Sequence, residues 1–178
     1  FYEAIFLVEK SDFPQNLKLA AIDQLVKFMI ETCYGEALDV DLGYREKISE
    51  KAIMIINTLK TARYTLVGPL KLGGILAGAD ARRLERFEEY GIPVGIAFQL
   101  QDDILGIYGD EKELGKPIGV DIAEGKNTLL YTQAIKKGNS SQRKKLMSLW
   151  GKKGLTAPEI DQARQIIKET GSLAYSQK

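Results

Sequence analysis

The stretch FQLQDDIL at residues 98–105 places two adjacent aspartates, Asp102 and Asp103, among apolar side chains of a helical pattern. Helical spacing places Gln99 on the same face as both aspartates, so a neutral amide accompanies the two carboxylates. An Asp-Asp pair usually lies on a solvated surface, but the apolar flanks leave little room for one here. Because neighbouring carboxylates repel each other and cost desolvation, we expect a hard divalent cation between them and an anionic ligand.

Two lysines follow the acidic pair along the chain, in or beside the glycine-rich interval 106–125. Lys116 lies in GKPIG at 115–119, and Lys126 ends DIAEGK at 121–126. Backbone N–H groups and mobile ammonium groups in such an interval can surround phosphates, and non-periodic stretches of this length are usually functional. The interval lacks the glycine, lysine and hydroxyl spacing of a P-loop, so taken alone it is a weak signal.

A second polar segment, KTARYT at 60–65, lies between apolar stretches. On a helix Lys60, Thr61 and Tyr64 share a face, which brings an ammonium, a hydroxyl and a phenol together. The ordinary interpretation is a lysine that extends to solvent and a threonine bonded to its own preceding turn. Considered by itself, this segment favours the ordinary interpretation.

The composition excludes several kinds of catalytic site. The 178 residues are 44% apolar and carry a net charge of +1, which fits one domain over residues 1–178 and gives no argument for nucleic acid as a partner. The chain has no histidine, which excludes Ser-His-Asp and Cys-His hydrolysis and the commonest zinc sites. Catalysis must therefore depend on carboxylates, lysines, hydroxyls and amides.

The single cysteine and the lack of long apolar runs bear on the cellular location of the protein. Cys33 excludes an internal disulfide, and its helical apolar context predicts a role in core packing. No apolar run approaches the roughly 20 residues that cross a bilayer. From these features we expect no membrane span and a cytoplasmic location.

Hydrophobic periodicity predicts an all-α chain. Three- and four-residue spacing and end signals predict helices over residues 14–42, 48–66, 80–90, 93–105, 128–137, 140–150 and 157–173. The expected breaks are Gly68-Pro69 and Gly91, and Thr156 with Glu159 has the spacing of a capping box. With no persuasive strand pattern or repeat, the prediction is a bundle of packed antiparallel helices.

These motifs together closely resemble the trans isoprenyl diphosphate synthases, which include the farnesyl and geranylgeranyl diphosphate synthases. The matching segments occur in order at residues 35–39 (GEALD), 60–65, 91–105, 115–129 and 171–173. The resemblance implies a helical bundle of the isoprenoid synthase type around a central cavity, and a homodimer. It also implies a prenyltransferase that condenses an allylic diphosphate with isopentenyl diphosphate, giving a longer trans-isoprenyl diphosphate and pyrophosphate.

The same resemblance gives a metal site and its anionic ligand. It assigns Asp102 and Asp103 to the second aspartate-rich motif of the family, which binds Mg²⁺ bridged to the allylic diphosphate. Lys60, Lys116 and Lys126 would contact that same diphosphate. The chemistry this implies is metal-assisted departure of pyrophosphate.

The remaining site residues follow from the resemblance too. Thr61 and Gln99 would lie against the reacting carbons and stabilise the developing allylic cation. Tyr64 and Phe98 would line the cavity that shelters this cation from water.

The chain departs from the family pattern in two ways. The second motif usually ends in an aspartate where this chain has Gly106, so one outer ligand is missing, and Asp110 is a candidate to compensate. The first aspartate-rich motif and the basic residues for isopentenyl diphosphate would precede Phe1. We therefore interpret the chain as the later portion of a synthase without its N-terminal helices, and expect little or no activity from it alone.

Two other functions remain open on the sequence. A non-catalytic helical subunit of a heteromeric synthase would keep the fold, but such a subunit has no need to bury charged side chains. A class I terpene cyclase would require an Asn-x-x-x-Ser-x-x-x-Glu motif on a late helix, and the sequence contains none.

Overall fold

The computed structural model describes residues 2–43, 45, 48–110, 115 and 119–178, and the regular structure among them is entirely helical. The helices are α1 Tyr2–Lys10, α2 Gln15–Gly43, α3 Glu50–Ile56, a π-helical segment Asn57–Val67, α4 Gly68–Leu76, α5 Ala81–Tyr108, α6 Val120–Glu124, α7 Leu129–Lys137, α8 Ser140–Leu149, α9 Ala157–Glu169 and α10 Ser172–Ser176. The predicted all-α class is confirmed.

The chain forms two compact units. The first comprises Phe1–Val40 and Met54–Gln99, and the second comprises Asp41–Ile53 and Leu100–Lys178. The single domain expected from the sequence stays a prediction.

Along the chain, α3, the π segment and α4 follow one another without a break. The sequence predicted that the helix ends at Gly68-Pro69, and this was wrong. Gly68 keeps helical dihedral angles and donates its backbone N–H to the carbonyl of Arg63, so the helix continues into α4, in whose first turn Pro69 lies. A proline in the first turn of α4 is therefore compatible with a helix that continues through Gly68-Pro69.

Helix α5 is also longer than expected. The sequence predicted that one helix ends at Gly91 and another begins at Pro93, whereas α5 continues through both. Gly91 and Gly95 are buried against the π segment, and a Cβ added at Gly95 would lie 2.4 Å from Cα of Ala62. These glycines allow close contact between helices, so here glycine marks packing and does not mark a helix end.

Charged side chains link the helices of the first unit. Arg63 of the π segment donates through Nη2 to Oε1 of Glu88 at 2.7 Å and pairs through Nη1 with Oε2 of Glu31 at 3.3 Å. Lys71 of α4 donates to the other carboxylate oxygen of Glu88. Burial raises the pKa of Glu88, but Lys71 and Arg63 outweigh this effect and hold the pKa below 4.5.

Glu88→Gln is expected to lower the free energy of unfolding near neutral pH by about 1 kcal/mol, because two partly buried cations lose their charged partner. Since the folded-state pKa lies below the unfolded one, the carboxylate stabilises above the unfolded pKa, and its contribution is lost as pH falls through the folded pKa. Urea unfolding at several pH values checks this. The exposed Glu89→Gln serves as the control, and a difference from wild type that stays constant into acid would contradict the prediction.

The second unit has a core of aliphatic side chains from α5 to α9. The largest fully buried members are Ile107, Ile122, Leu130, Leu146, Leu149 and Ile167. Thr128 caps α7 by accepting from the backbone N–H of Tyr131, and the predicted capping box of Thr156 and Glu159 opens α9. Gly171, with φ of 72°, separates α9 from α10, so the single final helix expected through Leu173 was wrong.

The exposure of Cys33 and the apolar character of the helices bear on two of the expectations from the sequence. Cys33 is exposed on α2, so its predicted role in core packing was wrong. Helical periodicity did not identify this side chain's face correctly, because α2 has apolar residues on several faces. Within the described ranges, no helix has both the length and the apolar character needed to cross a bilayer.

Candidate functional site

In the second unit, α5 carries the acidic pair and the segment after α6 carries its cation. Asp102 is exposed and Asp103 is buried, with 3% of its surface accessible. Nζ of Lys126 donates to Oδ1 of Asp103 at 2.8 Å. The indole N–H of Trp150 donates to the backbone carbonyl of Lys126, which fixes the chain at this point. The structure therefore brings together three of the residues singled out in the sequence.

Asp121 joins this group, although the sequence analysis gave it no role. Its carboxylate is buried, and Oδ2 lies 3.7 Å from Nζ of Lys126 without a hydrogen-bond partner among the described residues. Burial raises the pKa of Asp121 to about 6, against the lowering effect of Lys126, and Asp103 adds to the rise. The only sequence signal was an aspartate between the apolar Val120 and Ile122, in a segment already noted for its lysine.

Lys126 remains charged in this group. Burial lowers the pKa of Lys126, but the charge and hydrogen bond of Asp103 and the charge of Asp121 outweigh burial and raise the pKa above 10.5. The ammonium is bound to carboxylates and keeps 30% of its side-chain surface accessible. It can therefore bind a further anion without leaving this group.

The oxygen donors of this group fit magnesium. Mg²⁺ prefers carboxylate oxygens and is usually held by one or two carboxylates together with substrate phosphates. Asp102 and Asp103 supply such donors, and Oδ2 of Asp121, which accepts no hydrogen bond from a described residue, is a further oxygen of the same kind. Among the residues that the structure describes, no three acidic, histidine or cysteine side chains form a ready-made cage.

In the first unit, the structure brings together the hydroxyl and the amide predicted to act on the reacting carbons. Oγ1 of Thr61, in the π segment, donates to Oε1 of Gln99, on α5, at 2.6 Å. Thr61 is buried with 8% of its surface accessible, and its hydroxyl donates to another helix, whereas the ordinary interpretation expected a bond to its own preceding turn. The bond crosses between two helices and fixes the orientation of the Gln99 amide.

Lys60 has two carboxylate partners that the sequence analysis did not foresee. Its Nζ lies 2.7 Å from Oδ2 of Asp39 and 3.0 Å from Oε2 of Glu36, both on α2. Burial lowers the pKa of Lys60, but these two carboxylates outweigh burial and raise the pKa. The close approach is possible because Gly35 is buried against the π-segment backbone, where an added Cβ would lie 2.6 Å from N of Lys60.

The shared face predicted for Lys60, Thr61 and Tyr64 stays a prediction. These residues lie in a π-helical segment, whose i to i+5 hydrogen bonds change the angle between successive side chains. Lys60 contacts α2, Thr61 contacts α5, and Tyr64 is 52% exposed. Phe98, predicted to line a cavity, is 55% exposed, and Lys116 lies outside the described residues.

Comparisons with known proteins agree with these motifs. The sequence pattern that defines the polyprenyl synthetase family matches residues 2–167. The chain is 38% identical over 142 residues to geranylgeranyl diphosphate synthase of Saccharolobus solfataricus, covering 80% of this chain and 42% of that protein. It is 31% identical over 175 residues to a short chain isoprenyl diphosphate synthase of Methanothermobacter thermautotrophicus, covering 98% and 52%. The chain thus spans about half the length of these curated relatives.

A solved structure gives the same result at the level of the fold. Geranylgeranyl pyrophosphate synthase from Corynebacterium glutamicum, complexed with isoprenyl diphosphate and magnesium, superposes with a TM-score of 0.92 at 30% identity. The match covers 98% of this chain and 50% of that one. Because the family pattern extends over most of the sequence and the fold agrees, the chain belongs to the polyprenyl synthetase family.

Proposed function

We propose that this chain serves a magnesium-dependent prenyl transfer, in which an allylic diphosphate condenses with isopentenyl diphosphate and pyrophosphate leaves. The observation that carries the proposal is the group formed by Asp103, Lys126 and Asp121, in which one buried carboxylate oxygen of Asp121 accepts no hydrogen bond from the residues that the structure describes. Burying such charges costs free energy that a purely structural role does not require.

Within this proposal each side chain has a defined task. Asp102 and Asp103 hold the cation, and Asp121, which is paired with Lys126, adds negative charge beside it. A bound magnesium ion neutralises negative charge on the leaving diphosphate. Lys126, already bound to Asp103, donates hydrogen bonds to phosphate oxygens and keeps the local charge balanced.

The polar pair of the first unit acts on the hydrocarbon part of the substrate. In this proposal, the hydrogen bond from Thr61 holds the Gln99 amide in one orientation. The dipole of this amide stabilises the positive charge that develops on the allylic carbons. Lys60 contributes to binding of the diphosphate, with Asp39 and Glu36 holding its ammonium in place.

The cofactor and the assembly belong to the same proposal. We infer Mg²⁺ as the metal, supported by the oxygen donors and by the presence of magnesium in the Corynebacterium glutamicum structure. We also propose a homodimer, which the family resemblance implies, and a cytoplasmic location. A partner surface is supported by large apolar side chains exposed on α2, including Leu19, Val26 and Ile30.

Titration calorimetry with farnesyl diphosphate tests the proposal. The 178-residue chain is expected to bind farnesyl diphosphate in the presence of Mg²⁺ and to lose this binding when EDTA removes the ion. Inorganic sulfate in place of the diphosphate is the control for simple anion attraction. Equal affinity with and without Mg²⁺, or no binding in either condition, would contradict the proposed function.

A further inference from the structure

Gly106 lies on α5 one turn after the acidic pair, and its missing side chain leaves a space that another residue occupies. A Cβ added at Gly106 would lie 2.5 Å from Oδ2, 2.6 Å from Cγ and 2.9 Å from Oδ1 of Asp121. The entire carboxylate of Asp121 therefore lies against the backbone of α5 at this glycine. No other residue type would leave this space open.

The position of this carboxylate brings it close to the other charges of the group. From the space at Gly106, Oδ2 of Asp121 lies 3.7 Å from Nζ of Lys126, whose ammonium is hydrogen-bonded to Asp103. The same oxygen is buried and has no hydrogen-bond partner within the described ranges. A carboxylate oxygen left in this way is suited to a ligand that arrives later.

We propose that Gly106 is a positioning residue. Because it has no Cβ, the Asp121 carboxylate can lie against the turn of α5 that follows the acidic pair, and there it is available to the cation. This rests on the proposed function. The family resemblance suggested that Gly106 removes an outer ligand and that Asp110 compensates. In the structure Asp121 fills the space at Gly106, whereas Asp110 is exposed.

A double-mutant cycle separates this role from a general effect of glycine. Gly106→Ala and Asp121→Ala are each expected to weaken Mg²⁺-dependent binding of farnesyl diphosphate by about tenfold or more. Because Gly106 acts through Asp121, the double variant should bind within about twofold of Asp121→Ala alone. Gly73→Ala, at a helical glycine with no described atom within 4 Å of an added Cβ, is the matched control and should bind like wild type.

Either of two binding results would overturn the proposal. One is a Gly106→Ala variant that binds as tightly as wild type. The other is a double variant whose loss equals the product of the two single losses, since this would mean that Gly106 does not act through Asp121.

Thermal unfolding without Mg²⁺ keeps the test independent of the proposed function. Gly106→Ala should lower the midpoint of unfolding, because its Cβ meets the Asp121 carboxylate, and Asp121→Ala should remove this penalty. If Gly106→Ala fails to fold, recovery of folding in the double variant supports the proposal, and continued failure overturns it. If wild type shows no Mg²⁺-dependent binding, the proposed function fails, while the unfolding cycle still decides whether Gly106 positions Asp121.

Discussion

Asp102→Asn is expected to weaken Mg²⁺-dependent binding of an allylic diphosphate by about 100-fold or more, a larger effect than removal of an outer partner. The side chain is exposed on α5, so the change removes a charged ligand without opening a cavity or stranding a buried charge. The midpoint of thermal unfolding should therefore move by no more than about 2 °C. This combination distinguishes a metal ligand from a structural acid.

Calorimetry with farnesyl diphosphate at fixed Mg²⁺ measures the affinity, and calorimetric or fluorescence melting measures the stability. Asp23→Asn, at an exposed aspartate of α2, changes the net charge equally and should leave binding unchanged. Asp103→Asn should lose both binding and stability, because it weakens the partner of the partly buried Lys126. An Asp102→Asn variant with wild-type affinity would contradict the assignment of this carboxylate to the metal.

Gly95→Ala should produce the largest loss of stability of the substitutions considered, about 3 kcal/mol in the free energy of unfolding. An added Cβ would lie 2.4 Å from Cα and 2.6 Å from Cβ of Ala62, and these atoms belong to the π segment's backbone and its first side-chain carbon. A flexible side chain could move aside, but a helix backbone cannot shift without disturbing its own packing. Alanine's better helix propensity offsets only about 1 kcal/mol of this cost.

Gly73→Ala provides the matched comparison in the same unit. Gly73 lies inside α4, and no described atom would lie within 4 Å of its Cβ. The substitution should therefore stabilise the chain by about 0.5 to 1 kcal/mol through the unfolded state and helix propensity. Guanidinium unfolding of both variants makes the comparison, and similar values for Gly95→Ala and Gly73→Ala would show that α5 and the π segment do not pack as described.

Helix starts were the most predictable part of the fold. The capping box of Thr156 and Glu159 was visible in the sequence, because a cap depends on residues three or four apart. The long helix α2 followed from its hydrophobic spacing. These features are local, so the sequence contains all the groups that produce them.

Helix ends marked by glycine and proline were predicted less well. Gly91, Pro93 and Gly68-Pro69 all resemble breaks, yet helices continue through each of them. At Gly91 and Gly95 the reason is contact with the π segment, which is more than 20 residues away in the sequence. Burial against a distant helix outweighed a local propensity of about 1 kcal/mol per residue.

The sequence was sufficient to predict the all-α class, the capping box of Thr156 and Glu159 and the motif carrying Asp102, Asp103 and Lys126, because these depend on periodicity and on residue types. It did not show that Asp121 occupies the space at Gly106 or that Lys60 binds Asp39. Both contacts join residues 15 or more positions apart, and the packing that creates them depends on glycines whose role is visible only when the opposing element is in place.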